Sequence, residues 1–445
     1  MEKTFSSDPR VSLIIPTHNR ANLLEKNLAA LYRQTCPRNE FEVIVVADGC
    51  SDNTPEVVRL FEGHLQVRLI EQDNQGASTA RNRGATEARG QLLVFLDDDI
   101  EARPEFVDAH QNAHQINSNM VVIGSCPPLL TLQKGYLKAE LRYWWGSMFQ
   151  KMSEPEHRFC YTDLISGNFS LSKKLYQQTG GFDPAYRCHE DYEFGIRLLQ
   201  AGALFKFAPQ AQGYHHEESG VERVLKRKYE EGITDVMIGQ EYPGLRPTLL
   251  MTRLEQYSLL PSRILKLFAF IWPGVGDRFS RHFQNWLAIC ERIRWYTMWH
   301  RLLYGLMGYW YWRGVSTRLS NLSEVKNFLS ENARTSQPQI TRDIDLAEGI
   351  VNAEAKLEAF HTDEVNILLK KMLVGHVQEQ PGAEKLRGIH LRSILARDFP
   401  LTFLSTLVKD PDFAYPEAAE RLTKLCSKFL KKHQKQEASY SGDLI

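Results

Sequence analysis

The chain has 445 residues, of which 43% are hydrophobic and 24% charged, so it is long enough for two or three domains with sizeable cores. Its 54 basic and 54 acidic residues balance to a formal net charge of zero. This balance excludes the strong positive field typical of nucleic-acid-binding proteins, and we expect no nucleic-acid partner. The seven cysteines show no CxxC spacing, which argues against a zinc site or a disulfide framework and favours a reducing compartment.

The N-terminal residues lack the apolar core of a signal peptide. No uninterrupted apolar run approaches the ~18 residues needed to span a bilayer. We therefore expect a cytoplasmic protein, either free or held peripherally on the inner face of the cell membrane.

Strand and helix patterns alternate through the first 100 residues. Apolar runs typical of buried strands occupy residues 11–15, 41–46, 67–70 and 92–96, with helical patterns between them. This alternation predicts a doubly wound, mainly parallel sheet, whose strand ends meet at one edge. The polar residues expected at that edge are Thr17, Asp48, Arg81, Asp97 and Asp99. Neither GxGxxG nor a P-loop sequence is present, so the usual dinucleotide and phosphate-binding fingerprints are absent.

Three carboxylates, Asp97, Asp98 and Asp99, directly follow the fourth apolar run. On an extended backbone Asp97 and Asp99 point to the same side, and converging carboxylates repel each other unless a cation lies between them. Hard oxygen ligands suit Mg²⁺ or Mn²⁺, particularly an ion that also binds phosphates. The alternative is an acidic turn that caps a helix starting near Pro104.

Seven short motifs occur in the order typical of the family 2 glycosyltransferases. They are Pro16-Thr17-His18-Asn19-Arg20, Asp48-Gly49-Cys50-Ser51-Asp52, Gly76 to Gly84, Asp97-Asp98-Asp99, Ser166-Gly167-Asn168-Phe169, Gly180-Gly181-Phe182-Asp183 and His189-Glu190-Asp191-Tyr192-Glu193. The chain resembles this family over roughly its first 240 residues. The resemblance implies a GT-A fold, which is a Rossmann-like, mixed and mainly parallel sheet, and a nucleotide-diphospho-sugar donor, with a UDP-sugar expected.

The resemblance also assigns site residues. The donor-binding residues that it implies are Pro16, Thr17, Asp48, Arg81, Asp97 and Asp98. Thr17 and Asp48 would hold the base, and Arg81 would reach the nucleotide or its diphosphate. The implied metal ligands for Mn²⁺ or Mg²⁺ are Asp97, Asp99 and His215; the last follows a late strand, although adjacent histidines such as His215 and His216 are also common as solvated surface residues. Many relatives carry a second acid where this chain has Ala47, which leaves the choice of base open.

Glu190 and Asp191 precede an apolar helical pattern, where acids in the first turn are favoured by the helix dipole alone. Glycosyl transfer also needs a base for the acceptor hydroxyl, which a carboxylate can supply. The resemblance places that base at Asp191, with Glu190 as its supporting partner. Direct displacement with one base would invert the anomeric centre.

Three residues are expected on the acceptor side of the site: Gly167, Asn168 and Trp144. Trp144 belongs to the aromatic run Tyr143-Trp144-Trp145, between the acidic triplet and Gly167. These rings could stack on a sugar or a lipid, or could pack a loop onto the sheet, and the sequence does not separate the two.

The strand pattern stops after Gly239, and we predict three domains: a GT-A catalytic domain over 1–240, an aromatic and Arg-rich helical segment over 241–330, and a helical tail over 331–445 with a disordered end. From Arg278 to Arg318 there are seven Arg and one Glu, with five Trp. That composition suits either a helical segment lying in a membrane interface, over residues 264–313, or a helical subdomain packed on the catalytic sheet.

The tail is predicted to be all-helical. Leu346, Ile350, Ala353, Leu357 and Phe360 share one helical face; Thr362 and Asp363 should cap a second helix reaching toward Gly375, and Pro416 should begin a third. These helices suggest packing or docking of a protein partner.

Together these patterns favour a metal-dependent, inverting glycosyltransferase acting on a saccharide, glycolipid or polyprenyl-linked acceptor. The alternatives are a catalytically inactive scaffold of a polysaccharide-assembly complex, which loss of Asp99 or Asp191 would favour, and a sugar nucleotidyltransferase. The latter would need a Gly-rich basic loop after the first strand, which the sequence lacks there.

Overall fold

The computed structural model describes residues 8–114, 119–129, 134–154, 156–256, 260–330 and 342–409. The described residues divide into two compact units: those of 1–153 and 159–331 form the first, and those of 154–158 and 332–445 form the second. The predicted boundary at 330 lies next to this division, and the predicted boundary at 240 falls inside the first unit. The three-part organisation of the chain stays a prediction.

The first unit begins with alternating strands and helices. These are β1 Val11–Thr17, α1 Ala21–Tyr32, β2 Phe41–Asp48, α2 Thr54–Phe61, β3 Val67–Gln72, α3 Ala77–Glu87, β4 Leu92–Leu96, β5 Ile100–Ala102, α4 Phe106–Ala113, β6 Met120–Ser125, α5 Tyr136–Met152, β7 Asn168–Ser172, α6 Lys173–Thr179, α7 Glu190–Gln200 and β8 Leu204–His215. Six further helices follow: α8 Val221–Glu241, α9 Leu250–Gln256, α10 Leu260–Phe270, α11 Pro273–Arg292, α12 Tyr296–Val315 and α13 Leu322–Ser330.

The strands form one eight-stranded sheet in the order β3-β2-β1-β4-β7-β6-β8-β5. Four of its seven neighbouring pairs are parallel, and β7 and β5 run antiparallel to their neighbours. Every residue of β1 and β2 is buried, as expected for apolar strands covered on both faces. The predicted mixed, mainly parallel sheet is confirmed, and β1, β2 and β4 all end at the same edge.

Helices α8 and α12 cross at very short distance, which ties the C-terminal helices of the first unit to α8. A Cβ on Gly232 of α8 would lie 2.1 Å from the Tyr311 carbonyl oxygen, so only glycine permits this approach. Tyr311 also donates a 2.5 Å hydrogen bond to buried Asp235 of α8. Trp312 shares its core with Ile196 of α7.

The tryptophans of residues 264–313 divide between two environments. Trp299 and Trp312 of α12 are buried in the first unit, so α12 is an internal helix. Of the two alternatives for this segment, α12 fits the packed helical subdomain, because its buried aromatic rings pack against α8 and α7. Trp272 and Trp286, on α11 and at its start, are exposed. Among the described helices, none combines the length and the apolar character that crossing a bilayer requires.

The second unit is mainly helical but also contains a small sheet. Its elements are β9 Arg342–Asp345, α14 Ile350–Phe360, β10 Val365–Leu369, β11 Met372–Val377, α15 Leu391–Arg397 and α16 Pro400–Lys409. Helix α14 contains four of the five residues of the predicted stripe, whereas Leu346 lies in a 3-10 turn before it. The predicted helix from Thr362 toward Gly375 is wrong, because burial alternates with period two along β10, and Lys370 and Lys371 turn the chain with positive φ into β11. The predicted helix at Pro416 and the predicted disordered end lie outside the described residues.

Candidate active site

The carboxyl ends of β1, β2 and β4 bring most of the predicted polar residues to one edge of the sheet. Thr17 ends β1, Asp48 ends β2, and Asp97 follows β4 directly. Thr17, Asp48, Asp98 and Asp99 are buried, whereas the Asp97 side chain is 35% exposed. Ligands of open α/β sheets bind at this kind of edge, so its position agrees with the sequence prediction.

Asp98 and Asp99 share one cation of the protein itself, Arg20. Arg20 Nη1 lies 2.9 Å from Asp98 Oδ1 and 2.9 Å from Asp99 Oδ2. The Thr17 hydroxyl donates to the other Asp98 oxygen at 2.7 Å. Burial raises the pKa of Asp98 to about 6, although Arg20 opposes that shift. Asp98 therefore faces into the protein, and the predicted contact of Thr17 with the nucleotide base competes with this hydrogen bond.

Arg81 connects the acidic triplet to the second predicted acid pair. This buried guanidinium donates from Nη2 to Asp97 Oδ1 at 2.7 Å and from Nη1 to Glu190 Oε1 at 2.9 Å. Burial opposes the charge, but Asp97 and Glu190 outweigh it and raise the pKa of Arg81. Arg81 thus links the turn after β4 to the first residue of α7, two segments that are distant in the chain.

Asp191 lies in the first turn of α7, at the end of this network. Its Oδ2 accepts a hydrogen bond from the Ser166 amide at 3.1 Å, and the Ser166 hydroxyl lies 3.3 Å from Glu190 Oε1. Burial, followed by the neighbouring Glu190 charge, raises the pKa of Asp191 to about 7. A carboxylate with that pKa can accept a proton at neutral pH more effectively than an ordinary aspartate.

His189 precedes the acid pair in a left-handed conformation, with φ of 54°. Its ring stacks on Tyr192, with 4.1 Å between centroids and 22° between planes. Burial lowers the pKa of His189 to about 4, so the ring is neutral at physiological pH. This stack holds the start of α7 and so the direction of the two carboxylates.

His215 ends β8 beside the acidic triplet. Its Nε2 lies 3.5 Å from Asp99 Oδ2, while His216 turns away to Glu101, 3.2 Å from its Oε2. Burial opposes the charge on His215, but Asp99 outweighs it and raises the pKa of His215. Asp99 is also buried, yet the contacts with His215 and Arg20 lower its pKa. His215 thus lies nearer the acidic triplet than His216 does, and its role as a metal ligand stays a prediction.

The surroundings of Asp99 fit part of a divalent-cation site. Asp99 Oδ1 is buried and accepts no hydrogen bond from any described residue, so one carboxylate oxygen is free to coordinate an ion. Within the described part of the chain, however, no group of three or more His, Cys, Asp or Glu side chains is arranged to hold a metal. Mg²⁺ and Mn²⁺ commonly take one or two carboxylates and complete their coordination with substrate phosphates. The predicted ligand set of Asp97, Asp99 and His215 stays a prediction.

Asp48 shapes the loop before α3. Its two oxygens accept 2.8 Å hydrogen bonds from the Gln75 and Gly76 amides, and Gln72 Nε2 adds a third. Pro16 is buried in β1, in register with Val46 of β2. The predicted donor-binding roles of Pro16 and Asp48 stay predictions.

The three predicted acceptor-side residues are not brought together. A Cβ on Gly167 would lie 2.8 Å from Asp97 Oδ2, so this position borders the acidic triplet. Asn168 is fully buried, and its amide donates to the carbonyl oxygens of Ser125 and Ala211, which directs it into the sheet. Trp144 is exposed on α5.

An aromatic series leads from Trp144 to the site. Trp144 lies edge-on to Trp145 at 4.8 Å, and Trp145 lies edge-on to His215 at 5.5 Å between centroids. Trp145 packs inward, as the packing alternative for the aromatic run predicts. Trp144 is exposed, and its stacking on a sugar or a lipid stays a prediction.

Sequence reasoning missed Arg20, Ser166 and His189 as parts of the site. All three belong to the seven motifs of the family resemblance, and this membership was the sequence signal that could have identified them. Arg20 directly precedes α1, and its side chain reaches the acidic triplet.

Comparison with known proteins identifies a matching family and several related proteins. Residues 12–180 match the family described as Glycosyl transferase family 2. A validoxylamine A glucosyltransferase of Streptomyces hygroscopicus subsp. jinggangensis is 32% identical over 280 residues, covering 56% of this chain and 65% of that protein. A chondroitin synthase of Escherichia coli is 28% identical over 264 residues, covering 52% of this chain and 38% of that protein. The chain thus spans less than two thirds of the length of either relative.

Among solved structures, a mannosyltransferase from Pyrobaculum calidifontis in complex with GDP-Man and Mn²⁺ aligns with a TM-score of 0.48 and 18% identity. The alignment covers 68% of this chain and 86% of that one.

Proposed function

Because residues 12–180 are a domain of the glycosyl transferase family 2, we propose that this chain transfers a sugar from a nucleotide-diphospho-sugar to a hydroxyl acceptor, with Asp191 as the general base. The observation that carries this proposal is the continuous network Asp97–Arg81–Glu190–Ser166, which ends on Asp191. It connects the acidic strand end, suited to a diphosphate and its cation, with a carboxylate whose pKa is about 7. One set of side chains therefore positions both the proposed donor site and the proposed base.

The proposed reaction is a single displacement. Asp191 takes the proton of the acceptor hydroxyl as that oxygen bonds to the anomeric carbon, and the bond from that carbon to the nucleoside diphosphate breaks. Attack from the side opposite the leaving group inverts the anomeric configuration. Glu190, held by Arg81 and Ser166, keeps negative charge beside Asp191 and so maintains its raised pKa.

Leaving-group charge needs a counterion in this scheme. Asp97, Asp99 and His215 are proposed to hold Mn²⁺ or Mg²⁺, which when bound would stabilise the departing diphosphate. Arg20, which pairs with Asp98 and Asp99, keeps part of the triplet neutralised in the absence of donor. We expect a UDP-sugar donor, a saccharide or lipid-linked acceptor, and a cytoplasmic setting, for which the six free cysteines of the described residues provide support.

A donor screen tests the proposal. UDP-sugars and GDP-mannose are incubated with the full chain and Mn²⁺ or Mg²⁺, with and without a lipid extract, and nucleotide release is measured. We expect release from one donor class that depends on the divalent ion and increases with acceptor. The anomeric configuration of the product, read by NMR, should be inverted. Binding of a donor with no turnover under any of these conditions would favour an inactive scaffold, and a retained configuration would exclude Asp191 as the base of a single displacement.

A further inference from the structure

Helix α11 is anchored by one narrow face. Gly276, Ser280, Leu287 and Cys290 are its buried residues. A Cβ on Gly276 would lie 2.5 Å from the Tyr309 hydroxyl oxygen, and Ser280 Oγ accepts a 2.8 Å hydrogen bond from Trp310 Nε1. The direction of the remaining faces of α11 is therefore fixed by its packing on α12.

A second face of α11 is apolar although it points to solvent. We call it the outer stripe, and it consists of Trp272, Val275, Phe279, Phe283, Trp286, Ile289 and Ile293. These side chains are 40–59% exposed and recur every three or four residues, which places them along one side of the helix. A continuous stripe of this length differs from the isolated exposed apolar residues that are normal on protein surfaces.

The charges beside the outer stripe are all positive. Arg278, Arg281 and Arg292 are exposed on α11, and none of them forms an ion pair with another described residue. The two acids of the helix are engaged elsewhere: Asp277 accepts from the Tyr309 hydroxyl at 2.6 Å, and Glu291 accepts from the Tyr136 amide at 2.8 Å. An occupant of this face must therefore combine an apolar layer with negative charge.

We propose that α11 docks on the surface of an anionic lipid bilayer, lying parallel to it. The outer stripe would enter the boundary between headgroups and acyl chains, and the arginines would meet the lipid phosphates. A second copy of the chain fits this face less well, because it would bring the same positive charge to the contact. This proposal concerns an interaction surface and holds whether or not the proposed reaction is correct.

The outer stripe ends beside the helix that borders the candidate active site. The Tyr296 hydroxyl, at the start of α12, donates a hydrogen bond to Glu140 of α5. Trp144 lies one turn further along α5 and leads through Trp145 to His215. On the proposed function, docking through α11 would bring a lipid-linked acceptor to this side of the site.

Sedimentation of the full chain with vesicles tests the surface without donor or acceptor. Vesicles of phosphatidylcholine are compared with vesicles that also contain phosphatidylglycerol, at low and at physiological salt. One variant combines Phe279→Ser, Phe283→Ser and Trp286→Ser, and a second combines Arg278→Gln, Arg281→Gln and Arg292→Gln. The control is Leu60→Ser with Leu322→Ser, two apolar residues that are 65% and 40% exposed on other helices of the same unit.

We expect the wild type and the control to bind anionic vesicles, more weakly as salt rises. The arginine variant should partition on the order of 10²-fold less at low salt, and the stripe variant should lose the binding that salt does not remove. As a measurement that needs no substitution, brominated lipids should quench the tryptophan fluorescence of the wild type. Absence of vesicle binding or of quenching at low salt would overturn the proposal. So would a dimeric wild type that becomes monomeric in the stripe variant, because the stripe would then be an interface between copies.

Discussion

Replacement of Arg81 by methionine tests whether the network around it holds the candidate site together. Met keeps most of the apolar stem but removes the charge that pairs with Asp97 and Glu190. Breaking a buried ion pair costs about 3–5 kcal/mol, because the remaining carboxylates are left without a partner. We expect the lower end of that range, since the Asp97 side chain is 35% exposed and water can hydrate it.

A loss of about 3 kcal/mol corresponds to a fall in melting temperature of roughly 4 °C for a unit of this size. The matched control is Arg83→Met on the same helix, because Arg83 is 56% exposed and its ion pair, with Glu87 at 3.1 Å, lies at the surface. An exposed pair of this kind contributes about 0.3–0.5 kcal/mol. Thermal and urea unfolding of both variants would be compared with the wild type.

The same substitution should change the titration of Asp191. The Arg81 charge lowers the pKa of Asp191 and so opposes the effect of burial. Its removal should therefore move the rising limb of the pH–rate profile to higher pH, a shift that Arg83→Met should not produce. If the two variants have the same stability and the same pH–rate profile, Arg81 does not hold the network together.

Further predictions follow from single positions. Asp99→Ala should reduce turnover by at least ~10²-fold, and excess EDTA should do the same to the wild type; full activity in either experiment would exclude the proposed cation site. Asp191 must be deprotonated to act as a base and its pKa is about 7, so kcat/KM should fall as the pH is lowered through about 7. A profile that is flat from about pH 5 to about pH 8 would contradict this role. Gly314→Ala should destabilise the protein by more than about 3 kcal/mol, because the new Cβ would lie 1.9 Å from the Tyr229 carbonyl oxygen. On the same helix, a Cβ at Gly305 would meet no neighbouring atom within 4 Å, so Gly305→Ala should stabilise the protein by about 0.5–1 kcal/mol. Urea unfolding measures both changes.

Much of the sheet could be predicted because its first strands are rich in apolar residues. Residues 11–15, 41–46 and 92–96 are buried strands in the structure, and their parallel pairing brings Thr17, Asp48 and Asp97 to one edge. The rule that parallel strands end together needs only the order of elements along the chain. For that reason the position of the candidate site could be predicted from the sequence.

Other features depend on side-chain directions that a sequence does not contain. Arg and Trp are interleaved on both α11 and α12, yet α12 turns Trp299 and Trp312 into the core while α11 leaves Trp286 exposed. The burial of α12 rests on its close crossing with α8 at Gly232, a contact between residues far apart in the chain. Composition alone could not separate the internal helix from the exposed one.

The second unit shows a different limit. Residues 365–369 are mostly apolar, and a short apolar run does not distinguish a strand from a buried helix segment. The turn at Lys370 and Lys371 decides the outcome, because two consecutive residues with positive φ allow a hairpin and end any helix. Lysine gives no advance signal of that conformation.

The most direct test of the central claim separates donor binding from chemistry at Asp191. Asp191→Asn keeps the shape and removes the base, so donor affinity measured by calorimetry should match the wild type while turnover falls by roughly 10²–10⁴-fold. Asp183→Asn, in the same loop before α7, is the matched control and should retain both. A parallel loss of donor affinity and turnover in Asp191→Asn, or turnover close to that of the wild type, would contradict the assignment of Asp191 as the base.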